Sequence, residues 1–193
     1  MDTNMHGGKT VAGNTQNDDG RLGSLWKRPA WITALILLIP FLGNNFVDGW
    51  NWPLGAFILA GTFLFGTSLT YELVTRKADT IAHRAAVGVA LAATLLLVWM
   101  NGAVEIIGDD NPANLMYFGV PIVGIIGAAL ARFRTYGMAH ALFATALAQA
   151  SVPVIALIIW NPGVNSWAPG VVPVFGLNAF LVTLFVVSAL LFR

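Results

Sequence analysis

Six long apolar runs divide the chain, and short segments rich in Gly, Pro, Asn or charged residues separate them. The runs cover residues 30–47, 53–74, 85–107, 112–131, 138–160 and 169–192. A helix needs roughly 17 to 25 residues to cross a hydrocarbon core of about 30 Å, and each run has that length. Stretches such as ALILLI and FLVTLFVV do not alternate between polar and apolar residues, as the strands of a membrane barrel would. The pattern therefore predicts an all-α integral membrane protein with six transmembrane helices.

The composition agrees with this pattern, because 57% of the residues are hydrophobic, 10% are charged and the mean hydropathy is +0.73. Soluble domains carry about 25% charged residues. Residues 1–25 differ from the rest of the chain, since they are polar, rich in glycine and without periodicity. We predict a disordered tail over residues 1–25 and a six-helix transmembrane domain over residues 26–193, with the lipid bilayer around it.

The basic residues predict an orientation. If the amino terminus is cytoplasmic and the chain crosses six times, all ten Lys and Arg residues fall on the cytoplasmic side, as the positive-inside rule requires. They are Lys9, Arg21, Lys27, Arg28, Arg76, Lys77, Arg84, Arg132, Arg134 and Arg193. The sequence therefore predicts that both termini are cytoplasmic.

Four acidic residues collect on the opposite, outer face: Asp48, Glu105, Asp109 and Asp110. On a helix, Asn101, Glu105 and Asp109 stand at i, i+4 and i+8 and share one face. Asn44 and Asp48 have the same spacing near the outer end of the first helix. These residues predict a polar or cation-binding site formed by Asn44, Asp48, Asn101, Glu105 and Asp109. Two alternatives are a capped turn with solvated acids and a neutral Glu105 that donates a hydrogen bond.

The triplet Asn111, Pro112, Ala113 favours a helix start, because Asn is a good N-cap and Pro is tolerated at the first helical position. The same triplet occurs in aquaporins, and residues 161–163 read NPG. Aquaporin motifs cap half-helices that enter from opposite faces, whereas both triplets here fall in predicted outer loops. The topology therefore argues against a water channel.

Further polar residues fall in the outer halves of the predicted helices: Asn114, Tyr117, Gln149, Ser151 and Asn178. Pro40, Pro121 and Pro153 interrupt helices and deprive the carbonyl four residues earlier of its N–H partner. Those carbonyls belong to Ile36, Tyr117 and Gln149. The pattern favours an outward-facing polar vestibule, or else ordinary hydrogen bonding between helices.

The chain contains no cysteine, which excludes disulfides, thiolate catalysis and Cys-ligated metal or iron–sulfur sites. It shows no Ser/His/Asp set and no Gly-rich phosphate loop, so we expect no enzyme activity, no metal and no cofactor. His83 and His140 lie near the inner ends of the third and fifth helices, where two histidines could hold a haem. We interpret both as interfacial side chains. The net charge of +1 gives no reason to expect a nucleic-acid partner.

Small residues recur at helical spacing in the fourth and fifth helices, as Gly124 and Ala128 and as Gly137, Ala141, Ala144 and Ala148. Small side chains let membrane helices approach closely. We therefore predict that these two helices pack antiparallel, and that a small-residue face could also serve self-association or contact with other membrane subunits.

Two stretches, GAVEIIGDDNPANLMYFGV and ALARFRTYGMAHALFATALAQA, resemble a family of short, uncharacterised multi-pass proteins of bacterial inner membranes. In that family a GIIG-acid-DNPANLMY turn and an ARF…GMA-ALFATALAQ stretch recur. The resemblance covers the third to fifth helices, about a third of the chain. It implies a bacterial inner-membrane location and no particular activity.

Two hypotheses about function follow. The first is a non-catalytic accessory or assembly component of a membrane complex. The alternative is a small permeation or solute-binding protein with an acidic, outward-facing polar vestibule. The predicted helices carry no charged residue near mid-membrane, where coupling sites and proton relays usually lie, and this favours the first hypothesis.

Overall fold

The computed structural model describes residues 12–76, 78, 80–132, 134–160, 167 and 170–193, and of residues 12–25 only the backbone. This part of the chain consists of helices joined by turns and loops, without a strand. Its elements are α1 (Ala12–Phe46), α2 (Leu54–Thr75), α3 (Ile81–Val104), a 3-10 helix η1 (Pro112–Phe118), α4 (Gly119–Leu130), α5 (Thr135–Ile159) and α6 (Val171–Leu191). Counting η1 and α4 as one span, the described residues form six helices long and apolar enough to cross a membrane. The predicted architecture of a multi-pass, all-α membrane protein is confirmed.

The first helix begins earlier than the sequence suggested. Residues 12–25, predicted to belong to a disordered tail, are the first turns of α1, while the predicted tail at 1–11 lies outside the described residues. Once a helix exists, adding a residue needs no new nucleus, so a polar segment can continue a helix that it could not start. The apolar span of α1 still begins only at Trp26.

The third helix ends earlier than predicted, at Val104 rather than at residue 107. Glu105 has a φ of 47°, which takes the backbone out of the right-handed helical region. The chain then turns through Gly108 (φ 134°) and Asp110 (φ 57°). Asp109 is therefore in a turn, and the predicted helical stripe of Asn101, Glu105 and Asp109 is wrong.

The helices form two compact units, and the first comprises α1 and α2. Trp50 packs on Gly43, where an added Cβ would lie 2.9 Å from the indole ring, and Leu37 packs on Gly61. An ion pair joins the two helices, with 3.9 Å between Arg28 Nη1 and Glu72 Oε1. Both apolar surfaces are largely exposed.

The second unit, residues 74–193, contains α3 to α6 and the extended core. In it α5 packs against α4 and α6, and α3 packs against α6. An added Cβ on Gly127 would lie 2.7 Å from the Cβ of Ala141, and one on Gly137 would lie 2.6 Å from that of Ala131. The predicted close packing of the fourth and fifth helices is confirmed, although Ala144 of the predicted small-residue face is exposed.

The two ends of this four-helix unit carry opposite charge. Its described acids, Glu105, Asp109 and Asp110, follow α3 at what we call the acidic end. Its described arginines lie at the other, basic end: Arg76, Arg84, Arg132, Arg134 and Arg193. This separation agrees with the positions predicted from the charge pattern.

The prolines differ in their effects. Pro40 lies inside α1 and Pro153 inside α5, as predicted. Pro121 is the third residue of α4, where the backbone N–H would have no partner in that helix. The predicted interruption by Pro121 is therefore wrong, since a proline in a first turn removes no α-helical hydrogen bond.

Candidate functional site

The five residues predicted to form a polar site belong to different units. Asn44 and Asp48 belong to the α1–α2 unit, where the Asn44 side chain closes the connection between the helices. Its Oδ1 accepts from the Trp52 N–H at 2.8 Å, and its Nδ2 donates to the Trp52 carbonyl at 3.0 Å. Asp48 is exposed in the same connection. Asn44 thus stabilises the α1–α2 loop, and Asp48 lies exposed on that loop.

Glu105 and Asn101 belong to the four-helix unit, where they flank a tight turn. The Glu105 carboxylate is half-buried, and its Oε2 accepts from the Asp110 N–H at 2.6 Å. The turn begins at Glu105, where φ is positive, and the hydrogen bond from the Asp110 N–H to the Glu105 carboxylate closes it. A carboxylate that accepts a backbone N–H makes a charge-assisted bond, which is stronger than a neutral one. Glu105 therefore stabilises the turn to which it belongs.

Asn114 of η1 holds the same turn from the opposite side. Its buried side chain donates to the Gly108 carbonyl at 2.8 Å and to Glu105 Oε2 at 3.4 Å, and accepts from the Ile107 N–H at 3.0 Å. Its carbonyl accepts from Asn101 Nδ2 at 3.0 Å. One asparagine thus links the end of α3, the turn and η1. We call this cluster the Glu105 turn: Asn101, Glu105, Gly108, Asp110 and Asn114.

The predicted helix start at Asn111 is confirmed, with a change of helix type. The Asn111 Oδ1 accepts from the Ala113 N–H at 3.0 Å, and Pro112 is the first residue of the helix. The helix so capped is η1, a 3-10 helix that runs to Phe118 before α4 begins. The structure therefore assigns the NPA triplet to capping.

Asp109 is exposed in the turn. Within the described residues no group of three or more His, Cys, Asp or Glu side chains could hold a metal ion. A cation site that uses Asn44, Asp48, Asn101, Glu105 and Asp109 together stays a prediction.

A second polar cluster lies deeper in the four-helix unit. Asn178 of α6 donates through Nδ2 to the Tyr117 Oη of η1 at 2.8 Å and to the Val174 carbonyl at 2.8 Å. Its Oδ1 accepts from Gln149 Nε2 of α5 at 2.8 Å. Tyr117, Asn178 and Gln149 are 1%, 2% and 0% exposed, so the cluster is dry of bulk solvent. We call these three residues the amide network.

The sequence identified each member of the amide network as a polar residue in an outer half-helix but could not pair them. Gln149 and Asn178 are 29 residues apart and Tyr117 is 61 residues from Asn178, so no local spacing connects them. Ser151, predicted alongside them, is exposed and donates to the Ala148 carbonyl at 2.7 Å. The network could have been predicted only from the arrangement of the helices in space, in which η1, α5 and α6 lie next to one another.

The histidines lie toward the basic end of this unit. The His83 ring packs edge-on against Phe192 with 4.9 Å between centroids, and His140 Nδ1 is 2.8 Å from the Tyr136 carbonyl. His83 at the start of α3 thus contacts the end of α6, and His140 contacts the first turn of its own helix, α5.

Comparison of the chain with protein-family models, with curated proteins and with solved structures gave no match. The chemistry of the site must therefore be argued from its own groups. The Glu105 turn presents a half-buried carboxylate at the acidic end. The amide network presents neutral donors and acceptors inside the unit, which can bind each other and small polar molecules.

Proposed function

We propose that the chain is a non-catalytic accessory or assembly component of a larger complex in a bacterial inner membrane, with both termini cytoplasmic. The observation that carries the proposal is a row of small residues on α2, formed by Thr62, Gly66 and Thr70 at i, i+4 and i+8. All three are exposed, and nothing lies within 4 Å of a Cβ added to Gly66. We call this row the α2 small-residue face.

The chemistry of this face suits contact with another membrane helix. Thr62 Oγ1 donates to the Ile58 carbonyl at 2.8 Å and Thr70 Oγ1 to the Gly66 carbonyl at 2.7 Å, so both hydroxyls are satisfied by their own helix. Small residues at this spacing let two helix backbones approach and pack by van der Waals contact. Leu59 beside the row is 56% exposed and can pack against the same partner.

The polar interior supports the same proposal. The amides of the four-helix unit bond to one another between helices, which is the arrangement expected of groups that hold a bundle together. The inner-membrane location and the cytoplasmic termini rest on the distribution of Lys and Arg and on the resemblance to bacterial multi-pass proteins.

The test compares Gly66→Leu with Gly176→Leu. Gly176 of α6 is also exposed with nothing within 4 Å of its added Cβ, so the two changes are matched in chemistry and surroundings. A tagged full-length chain is expressed in bacteria that carry it naturally, extracted in mild detergent and sized by native electrophoresis. We expect wild type and Gly176→Leu to migrate in one defined assembly, and Gly66→Leu to migrate as the free chain.

A second copy with a different tag shows whether the partner is another chain of the same kind. If both tags occur in the assembly, the α2 small-residue face serves self-association, and the accessory role is wrong. If wild type migrates as a monomer, or if Gly66→Leu leaves the assembly intact, the proposed use of α2 is wrong.

A further inference from the structure

The connection between α1 and α2 contains an open cleft with a volume of about 410 Å³. Its walls are formed by Val47, Asp48, Gly49, Trp50, Asn51 and Trp52. One apolar span ends at Phe46 and the next begins at Leu54, so this short connection lies at the surface of the bilayer. Tryptophan is enriched at this level, among the lipid headgroups. The cleft therefore lies where both headgroups and water-soluble molecules can reach it.

The walls of the cleft are fixed by contacts of the connection with α1 and α2. The Asn44 side chain holds the Trp52 backbone through its two bonds, at 2.8 and 3.0 Å. The Trp50 N–H donates to the Val47 carbonyl at 3.2 Å, and the Trp52 ring lies edge-on to Phe57 with 5.5 Å between centroids. A site that is ordered before its ligand arrives loses less entropy on binding. The cleft is thus suited to a small ligand.

Two indole rings give the cleft its aromatic surface. Three atoms of the Trp50 ring would lie 2.9, 3.0 and 3.3 Å from a Cβ added to Gly43, so one face of this ring lies flat on α1. Trp50 is nevertheless 42% exposed, which leaves its other face open beside the half-buried Trp52. The face of an aromatic ring carries partial negative charge, and tryptophan attracts cations more strongly than the other aromatic residues.

Asp48 adds a full negative charge to the same cleft. It is exposed, and among the described residues its carboxylate makes no ion pair and no hydrogen bond. Along the chain, the nearest Lys or Arg residues are Arg28 and Arg76, toward the far ends of the two spans that the connection joins. The negative charge of the cleft is therefore not balanced locally, and the cleft favours a cation.

A metal ion does not suit this site, because Asp48 is the one carboxylate in its walls. Calcium takes six to eight oxygen ligands, and no group of three or more acidic or histidine side chains among the described residues could hold a metal. An organic ammonium group needs fewer oxygen atoms, since it binds to aromatic faces as well as to a carboxylate. The volume of the cleft also falls in the range of small-molecule sites, about 300 to 1,000 Å³.

We propose that the cleft binds an organic ammonium group, with its charged nitrogen between Asp48 and the indole faces of Trp50 and Trp52. For a soluble amine, contacts of this kind at an exposed site give a Kd on the order of 10 to 100 mM. The headgroup of an aminophospholipid carries the same group at a much higher local concentration, which fills a weak site. This binding site is independent of the α2 small-residue face.

The test uses the full chain labelled with fluorotryptophan, in maltoside micelles, which contain no ammonium group. Fluorine NMR resolves the seven tryptophans, and single Trp→Phe variants assign them. Choline is titrated at constant ionic strength, against its neutral isostere in which a tert-butyl group replaces the trimethylammonium group. We expect choline alone to shift the Trp50 and Trp52 resonances. Trp26 and Trp31, which are 55% and 70% exposed, report non-specific effects and should not move.

Asp48→Asn is compared with Asp110→Asn, which removes another exposed acid and keeps the backbone N–H that closes the Glu105 turn. We expect Asp48→Asn to weaken choline binding about two- to fivefold, as for the loss of an exposed ion pair, and Asp110→Asn to leave it unchanged. Asp48 makes no bond that the fold needs, so the variant should melt like the wild type.

Nanodiscs of phosphatidylglycerol, with and without phosphatidylethanolamine, then identify the source of the ammonium group. If the ethanolamine lipid shifts the Trp50 and Trp52 resonances, the site takes a headgroup; if choline alone shifts them, it takes a soluble amine. The proposal is overturned if choline at about 0.5 M moves neither resonance. It is also overturned if the neutral isostere acts equally, or if Asp48→Asn binds choline as tightly as Asp110→Asn.

Discussion

Replacing Asn114 with alanine should destabilise the four-helix unit more than any other single amide change in the Glu105 turn. The substitution removes the bonds to the Ile107 N–H, the Gly108 carbonyl and Glu105 Oε2, at 3.0, 2.8 and 3.4 Å. Ile107 is buried, so its N–H is left without a partner away from water, whereas the buried Gly108 carbonyl still accepts from the Asn111 N–H at 3.2 Å. A buried group left without a partner costs about 1 to 3 kcal/mol. The contact at 3.4 Å adds little.

One orphaned N–H and one further lost hydrogen bond, to the Gly108 carbonyl, give an expected loss in the free energy of unfolding of about 1.5 to 4.5 kcal/mol. The assay is equilibrium unfolding in mixed micelles with increasing dodecyl sulfate, followed by helical circular dichroism and by fluorescence of the seven tryptophans. Ser151→Ala is the control in the same unit, because it removes one exposed bond to the Ala148 carbonyl. The control should change stability by no more than about 0.5 kcal/mol.

If Asn114→Ala unfolds at the same midpoint as Ser151→Ala, the side chain of Asn114 does not hold the turn. Another outcome would be equally informative: a loss confined to fluorescence, with unchanged helical signal, would show that the turn opens while the helices persist. The first outcome would contradict the argument that this residue ties α3 to η1, and the second would contradict the predicted loss of stability of the whole unit.

Gly127→Ala should lower the melting temperature in detergent by the equivalent of about 1 to 3 kcal/mol, because its Cβ would lie 2.7 Å from another Cβ in α5. Gly102→Ala, with nothing within 4 Å, should be neutral or raise it by up to about 1 kcal/mol, and equal shifts would refute the packing argument. Asn111→Ala should cost about 1 kcal/mol through the lost cap, and an unchanged melting temperature would remove the capping role of the NPA triplet. Reporter fusions after Arg193 and within the turn that follows α3 should report opposite sides of the membrane, and two periplasmic reports would refute the six-span topology. Calcium or magnesium should raise the melting temperature of the wild type, and Glu105→Gln should abolish that rise; no response to either ion would remove the predicted cation site.

The sequence predicted the helices well because apolar runs long enough to cross a bilayer have few alternatives. Backbone groups in lipid must bond within the segment, so a run of this composition becomes a helix whatever its neighbours are. The boundaries were less certain where a side chain decides them. Glu105 ends α3 with a φ of 47°, and the bonds from the Asp110 N–H and from Asn114 hold the turn in which the chain leaves the helix three residues before the apolar run ends.

The candidate site shows the same limit. Asn111 could be predicted because a cap acts on a backbone N–H two residues away. The partners of Asn114 lie six to nine residues away, across a turn whose shape the sequence did not reveal. The amide network joins three separate helical elements, so it depends on helix order and rotation, which periodicity alone cannot supply.

Small-residue packing connects the folded unit to the proposed assembly. Gly127 and Gly137 each approach an alanine so closely that an added Cβ would fall within 3 Å of it, which shows that α4 and α5 need their glycines to pack. Gly66 on α2 is likewise a helical glycine, flanked at i−4 and i+4 by Thr62 and Thr70, but nothing lies within 4 Å of its added Cβ. Lipid tails are as apolar as leucine, so a bilayer gives no selective advantage to a groove of small residues over a surface of large ones. Close contact with a second helix does favour a groove of small residues, because small side chains allow two backbones to approach. The rule that correctly predicted the α4–α5 contact is thus the reason for the proposal that Gly66 contacts a helix supplied by another chain.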